Sequence, residues 1–366
     1  MLKAYKYRIY PNLHQEILIN KTLGCTRFVF NYFLDLRIKT YELESKSLSY
    51  NDNAKVLTSL KKDLTWLKEV DSISLQQTLK DLDKAYKNFF RDKSIGFPKF
   101  KSKKNNKKSF RTQNVNSNIE VLDDYIKLPK IGLIKYKNSR PFNGKINSAT
   151  ISKTSTNKYF VSILVETENF QLPKLNTSIG IDLGIKYFAV MTTGEVIANP
   201  KFLRNLEYKL RFQQRSLSRK KLGSKNWYKQ KLIVARLHEK ITNARKDFLH
   251  KLSTRLINEN QIICLEDLQI KEMLKTKEQS KNISEVSWAE FRNMIEYKSS
   301  WYGRIVSVVD KSYPSSQLCS TCGYINKEVK NLNLRNWTCP CCKSNHKRDY
   351  NASINILIEG LRIITG

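Results

Sequence analysis

The stretch Ile179-Gly180-Ile181-Asp182-Leu183-Gly184-Ile185 alternates strictly between apolar and other residues. A β-strand sends successive side chains to opposite faces. Ile179, Ile181, Leu183 and Ile185 therefore share one face, and Gly180, Asp182 and Gly184 share the other. An acid in so apolar a strand needs a reason, because a buried, unpaired carboxylate is costly. The flanking glycines clear space beside it, as an approaching backbone or a hydrated ion requires. A strand-end Asp with local hydrogen bonds is the plainer alternative. A second apolar run, Ile262-Ile-Cys-Leu-Glu-Asp-Leu268, carries Glu266 and Asp267 near its end. Consecutive strand residues face opposite ways, so only one of the two can serve a given site, and periodicity leaves the choice open. A third acid, Asp349, opens a helix expected from about 349 to 363, where capping is the alternative role. Three hard-oxygen ligands from separate elements are what a two-Mg²⁺ site needs. The four histidines, His14, His238, His250 and His346, are scattered and offer no Ser-His-Asp or Cys-His arrangement.

Around these acids the apolar periodicity predicts one strand from Ser178 to Val190. A long, very basic helical stretch should follow from about 201 to 260, with Leu237, Ile241, Ala244, Phe248, Leu252 and Leu256 as its apolar stripe. Upstream, Met1 to Tyr10 reads as a strand and residues 12–91 as helices. Short strands are expected at Tyr125–Leu128, Leu133–Tyr136, Ala149–Ser152 and Tyr159–Val165, with Tyr159, Val161, Ile163 and Val165 on one buried face. The Lys-dense, aromatic-punctuated segment Phe97-Pro-Lys-Phe-Lys-Ser-Lys-Lys104 suits a sugar-phosphate backbone better than a plain solvated loop.

Cys319-Ser-Thr-Cys322 and Cys339-Pro-Cys-Cys342 are two CxxC knuckles 16 residues apart. Each lets two thiolates reach one ion from a tight turn, and the pair completes the tetrahedron that Zn²⁺ prefers. With sulfur at all four positions no coordination site stays open, so the expected zinc is structural. Cys341 is a spare thiol between ligands, while Cys25 and Cys264 lie in apolar surroundings that suggest core positions.

The charge balance limits the partners. There are 66 Lys and Arg against 33 Asp and Glu in 366 residues, a formal net charge of +33. Self-repulsion of that size opposes compaction unless a polyanion neutralises it, and a phosphate backbone is the commonest one. No run of about eighteen apolar residues is present to span a membrane. A Cys₄ pattern suits a reducing compartment, so an intracellular nucleic-acid-binding protein is expected.

The motifs together, Gly-Ile-Asp-Leu-Gly around Asp182, Leu-Glu-Asp-Leu around Glu266, Pro314-Ser-Ser-Gln-Leu-Cys-Ser-Thr-Cys-Gly323 and Arg348-Asp-Tyr-Asn-Ala352, resemble the TnpB family. These are transposon-encoded RNA-guided DNA endonucleases related to type V CRISPR effectors. The likeness continues through Tyr5-Lys-Tyr-Arg-Ile-Tyr-Pro11, Cys25–Asn31, Phe97–Lys101 and Arg245–Ser253, covering nearly the whole chain. It implies an α/β plus β-barrel fold, with an RNase H-like (RuvC) nuclease domain at 173–312 and 345–366 split by a zinc ribbon at 313–344. It also implies a wedge-like β-barrel at 1–11 and 92–172, interrupted by a helical recognition domain at 12–91. On matching positions Asp182, Glu266 and Asp349 become the catalytic Mg²⁺ ligands, with Mn²⁺ able to substitute. Cys319, Cys322, Cys339 and Cys342 become the zinc ligands. Gln76, Gln77, Lys80, Lys99, Lys101, Lys103 and Arg348 are candidate nucleic-acid contacts.

The implied partners are a guide RNA derived from the transposon end and a double-stranded DNA target beside a short flanking motif, with no membrane and no small-molecule substrate. The implied setting is the prokaryotic cytoplasm, at the nucleoid. An RNA-guided repressor that binds without cutting is the alternative, and such relatives would be expected to lack one or more of the acids. The sequence departs from the family at Lys347, where Asp is usual, and at Lys343, where Gly is usual.

Overall fold

The computed structural model describes residues 1–104, 108–268, 287–331 and 333–366. It comprises two compact units, Met1–Glu168 and Asn169–Gly366. Among the described residues no helix is long and apolar enough to cross a membrane.

In the first unit, β1 (Leu2–Tyr10) leads into α1 (Leu13–Glu44), α2 (Tyr50–Asp63) and α3 (Ser72–Arg91). Asn12 starts α1 through a reciprocal capping box with Gln15, and Asp71 caps α3 by accepting from the backbone N–H groups of Ile73 and Ser74. The strands β2 (Lys108–Gln113), β3 (Glu120–Val121), β4 (Tyr125–Leu128), β5 (Gly132–Tyr136), β6 (Lys145–Lys153) and β7 (Tyr159–Glu166) join β1 in one sheet of order β2-β6-β7-β1-β5-β4-β3. Every pairing in it is antiparallel. The sheet has β2 and β3 at its two ends, and no pairing among the described residues closes it into a barrel. Tyr159, Val161, Ile163 and Val165 are all buried in its core with Tyr7, Ile9 and Ile134, the outcome that period-two patterning dictates.

The second unit is built on a five-stranded sheet of order β10-β9-β8-β11-β12. Its strands are β8 (Ser178–Leu183), β9 (Tyr187–Met191), β10 (Val196–Ala198), β11 (Ile262–Glu266) and β12 (Ile305–Val309). The first three form an antiparallel meander, whereas β8, β11 and β12 run parallel. The single strand expected over 178–190 is thus two strands, because the chain reverses between Leu183 and Tyr187. The expected helical stretch is likewise a hairpin of α4 (Phe202–Ser218) and α5 (Lys225–Glu259). Gly223 at φ 82° turns the chain, and the Ser224 hydroxyl accepts from the Trp227 N–H to start α5.

Helices cover both sheet faces. Ile179, Ile181, Leu183, Ile263 and Leu265 pack against α5 and α6 (Trp288–Tyr302), through Leu252, Leu256, Phe291 and Ile295 among others. The opposite face, bearing Gly180 and Cys264, receives α7 (Arg348–Thr365). Here the backbone itself makes the contact. A Cβ at Gly180 would lie 2.2 Å from the Ser353 carbonyl oxygen, and one at Gly360 would lie 2.4 Å from Cys264 Sγ. The room beside Asp182 at Gly180 is therefore filled by a helix backbone.

Gly180→Ala should destabilise the fold by ~3 kcal/mol or more, because neither backbone can yield locally. Gly24→Ala, in α1 with nothing within 4 Å of the added Cβ, should stabilise by about 0.5–1 kcal/mol. Chemical denaturation of both variants checks the pair; equal midpoints would refute the packing argument.

Candidate nuclease and zinc sites

Asp182, Glu266 and Asp349 line one cavity of about 300 Å³. The sheet accounts for two of them. The parallel register pairs Cys264 with Gly180 and Leu265 with Ile181, and one more step along it brings Glu266 beside Asp182 at the carboxyl ends of β11 and β8. Ligands of open α/β sheets collect at such ends. Asp349 arrives from the first turn of α7, where it does not act as the cap. Its carboxylate accepts from Arg335 Nη1 at 3.0 and 3.3 Å. Asp267 takes the other direction and pairs with Arg292 of α6, which also donates to Glu296 at 2.8 Å. That ion pair assigns the ambiguous acids: Glu266 faces the cavity and Asp267 faces a helix.

The electrostatics are those of carboxylates held close together in a partly enclosed cavity. The Asp182 residue is half-buried, yet its carboxyl is enclosed and its pKa is pushed up to about 8. Burial is the main cause, followed by the Asp349 and Glu266 carboxylates, against the pull of Arg348 and Arg335. Glu266 is also raised, by burial first and then by Asp267. Cations placed between these oxygens would relieve both the desolvation and the repulsion, so the donor set fits hard divalent ions.

The four cysteines of the knuckles cluster with all their Sγ atoms within 4.8 Å of one another. Cys319 lies 3.6 Å from Cys342, and Cys322 lies 3.6 Å from Cys339, spacings that a tetrahedral Zn–S site requires. The knuckles are built alike. Gly323 N–H donates to Cys319 O at 2.9 Å, and Lys343 N–H donates to Cys339 O at 3.0 Å. Gly323 and Lys343 both occupy the left-handed region, at φ 79° and 62°. Lys343 thus keeps the turn that glycine makes, at a steric cost. Cys341 is exposed and stands outside the cluster, while Cys25 and Cys264 are buried in apolar cores.

This module is fastened to the acid cavity. Asn351 and Asn355 of α7 donate to Leu318 O just before the first knuckle, at 2.7 and 2.6 Å, and Asn351 Oδ1 accepts from Ser320 N–H. A hairpin of β13 (Asn336–Thr338) and β14 (Asn345–Lys347) pairs Trp337 with His346 and brings Arg335 to Asp349. His346 Nε2 lies 3.1 Å from Cys319 Sγ. Arg335, Asn355 and His346 have site roles that no sequence pattern singled out.

The candidate nucleic-acid contacts are dispersed. Arg348 lines the acid cavity. Gln76 and Lys80 are exposed on α3, but Gln77 is 4% exposed and donates to Asp81, so it faces the packed side. Lys99 and Lys103 are exposed. Lys101, also exposed as a residue, holds its ammonium 3.9 Å from the Phe30 ring centroid, and burial of that group lowers its pKa.

Three families match parts of the chain: one described as "Probable transposase" at residues 162–277, "Cas12f1-like, TNB domain" at 288–356, and "Helix-turn-helix domain" at 1–46. A Streptomyces pristinaespiralis protein named "Putative RNA-guided DNA endonuclease" is 39% identical, over 98% of this chain and 89% of that protein. The Escherichia coli K12 protein "Putative RNA-guided DNA endonuclease InsQ" is 34% identical, over 99% and 93%. A mimivirus protein, "TnpB-like protein L79", is 22% identical over 99% of this chain and 74% of its own length. A solved structure of a Cas12f1-sgRNA-target DNA complex aligns over 98% of this chain and 99% of that chain, at 16% identity and a TM-score of 0.38. The chain belongs to the TnpB family of transposon-associated proteins.

Two outcomes follow from the site geometry. Without added divalent cation, the raised pKa means that the folded state prefers Asp182 protonated. The associated stability is complete below about pH 4 and lost as pH rises through about 8. Asp182→Asn should therefore melt higher than wild type at pH 8, by of order 2 kcal/mol, with the gap vanishing near pH 4. Thermal melts across this range test it, and a constant gap would refute it. Lys343→Gly should stabilise the cysteine module by about 1 kcal/mol, read as slower zinc release to a chromogenic chelator.

Proposed function

We propose that this protein is an RNA-guided DNA endonuclease of a transposable element. The carrying observation is the convergence of Asp182, Glu266 and Asp349 on one cavity, from two parallel strand ends and a helix start. In this reading residues 173–312 and 345–366 are an RNase H-like, RuvC-type nuclease domain, interrupted by a zinc ribbon at 313–344. The sheet order β10-β9-β8-β11-β12, with an antiparallel meander leading into parallel strands, supports that assignment. Residues 1–11 and 92–172 would be the wedge-like domain and 12–91 the helical recognition domain.

Base pairing between a guide RNA and the target would supply sequence information, while the protein holds both through backbone charge. The net charge of +33 gives that role a physical basis. Two Mg²⁺ ions at the three acids would activate water and stabilise the leaving 3′-oxygen of the phosphodiester. Asp182 would hold a cation only as the carboxylate, so cation affinity should rise with pH towards about 8. Arg335 holds the Asp349 carboxylate in place at the mouth of α7. The structural Zn²⁺ would sit on Cys319, Cys322, Cys339 and Cys342. The intact acid trio argues for cleavage over the alternative, an RNA-guided repressor that binds without cutting.

The decisive experiment co-expresses the protein with the DNA flanking its gene and challenges a plasmid library that carries one target beside a randomised flank. Wild type in Mg²⁺ should deplete one flank motif. Asp182→Ala should deplete none, with a loss of at least about 10³-fold in rate. Motif-dependent binding without cutting by wild type would favour the repressor.

A further inference from the structure

The His346 ring meets both halves of the cysteine module. Its Nε2 lies 3.1 Å from Cys319 Sγ, in the first knuckle. On β14 it pairs with Trp337 of β13, just before the second knuckle, and the two ring centroids are 4.7 Å apart at an interplanar angle of 39°. The indole therefore backs the imidazole and limits its rotation. His346 is nevertheless not placed as a metal ligand. The donor atoms that all lie within 4.8 Å of one another are the four sulfurs, and the His346 nitrogens stand outside that set. A sulfur and an imidazole nitrogen on one tetrahedral zinc would stand about 3.5 Å apart, from bond lengths of about 2.3 and 2.0 Å. The observed approach is shorter and suits an N–H···S hydrogen bond.

We propose that His346 is a positioning residue of the cysteine cluster, whose Nε2–H donates to the Cys319 thiolate without binding the metal. The inference rests on the zinc reading of the four cysteines and adds the residue that ties them to β14, the strand leading to Asp349. Four thiolates around one divalent ion leave negative charge on the sulfurs. Cys319 is 1% exposed, so water supplies little to offset it there. A hydrogen bond to an ionised acceptor is roughly twice as strong as one between neutral groups. Nε2 carries a proton both in the neutral tautomer that this contact selects and in the imidazolium, so the role holds in either state. Partners of this kind orient the groups that bind the metal, and their loss typically weakens its hold by about 10–100-fold.

The test loads the full chain, its histidines labelled with ¹⁵N, with ¹¹³Cd in place of zinc. His346, assigned by its loss in His346→Ala, should show a proton on Nε2 that couples to cadmium through the intervening sulfur, and the metal should resonate as a four-sulfur site. On the zinc-loaded protein, His346→Leu keeps the bulk beside Trp337 but removes the donor. It should release zinc to a chromogenic chelator at least about tenfold faster than wild type. His346→Gln, which brings an amide N–H towards the same sulfur, should restore slow release. A nitrogen bonded directly to cadmium would overturn the proposal by making His346 a ligand. So would a neutral ring protonated at Nδ1 alone, a Leu variant that releases zinc at the wild-type rate, or a Gln variant as fast as Leu. Failure of the wild-type chain to take up zinc or cadmium would instead overturn the zinc reading itself.

Discussion

The arrangement of the second unit depends on one close approach, that of the α7 backbone to β8 at Gly180. Ser353 lies one helical turn beyond Asp349, and Gly180 lies two residues, hence one step on the same face, before Asp182. When the strand backbone and the Ser353 carbonyl meet, the first turn of α7 is carried over the ends of β8 and β11. The second approach, Gly360 over Cys264, fixes the far end of the helix against the neighbouring strand. Two glycines thus set the axis of a helix whose first turn delivers the third acid. Any side chain at either position would lift the helix and separate Asp349 from its partners.

That geometry forces three carboxylates together, which carries its own cost. Burial, and after it the neighbouring carboxylates, push the Asp182 pKa up to about 8, so its carboxyl keeps a proton that an exposed Asp loses near pH 4. Arg335 and Arg348 offset part of the repulsion. Divalent cations among the three carboxylates would remove both the desolvation cost and the mutual repulsion.

Legibility followed the range of the interaction. Strict alternation gave the correct faces over 179–183, and the cysteine knuckles were readable because their spacing is local. The apolar run concealed the break after Leu183, since Gly184 was read as space beside an acid although it opens a turn between two strands. Gly223 and Ser224 carried the turn and cap signals for the helical hairpin but lay inside a basic stretch whose periodicity dominated. Periodicity left Glu266 and Asp267 open and only the family resemblance chose Glu266; the physical separation of the two comes from Arg292, and the fixing of Asp349 from Arg335. In a chain with 66 Lys and Arg, no local pattern marks those two cations. Their roles exist only once α6 and the β13–β14 hairpin are in place. Gln77 illustrates the converse: adjacent polar residues on α3 differ because the helix turns one of them into the packed face.

The β13–β14 hairpin makes the cysteine cluster part of the acid site. Its turn carries the second knuckle, β13 leads back to Arg335, and β14 leads on to Asp349. The first knuckle is held to the same helix by Asn351 and Asn355, and to β14 through the approach of His346 Nε2 to Cys319 Sγ. An ion binding the four sulfurs would therefore fix both ends of the path from Arg335 to Asp349. Without it the knuckles would be held, among the described residues, by hydrogen bonds, the Trp337–His346 ring contact and a small cluster around Val329, Leu334 and Trp337, little apolar burial for a module of this size to order itself. The cysteine cluster is thus tied through the β13–β14 hairpin to Arg335, the residue that steadies the third acid.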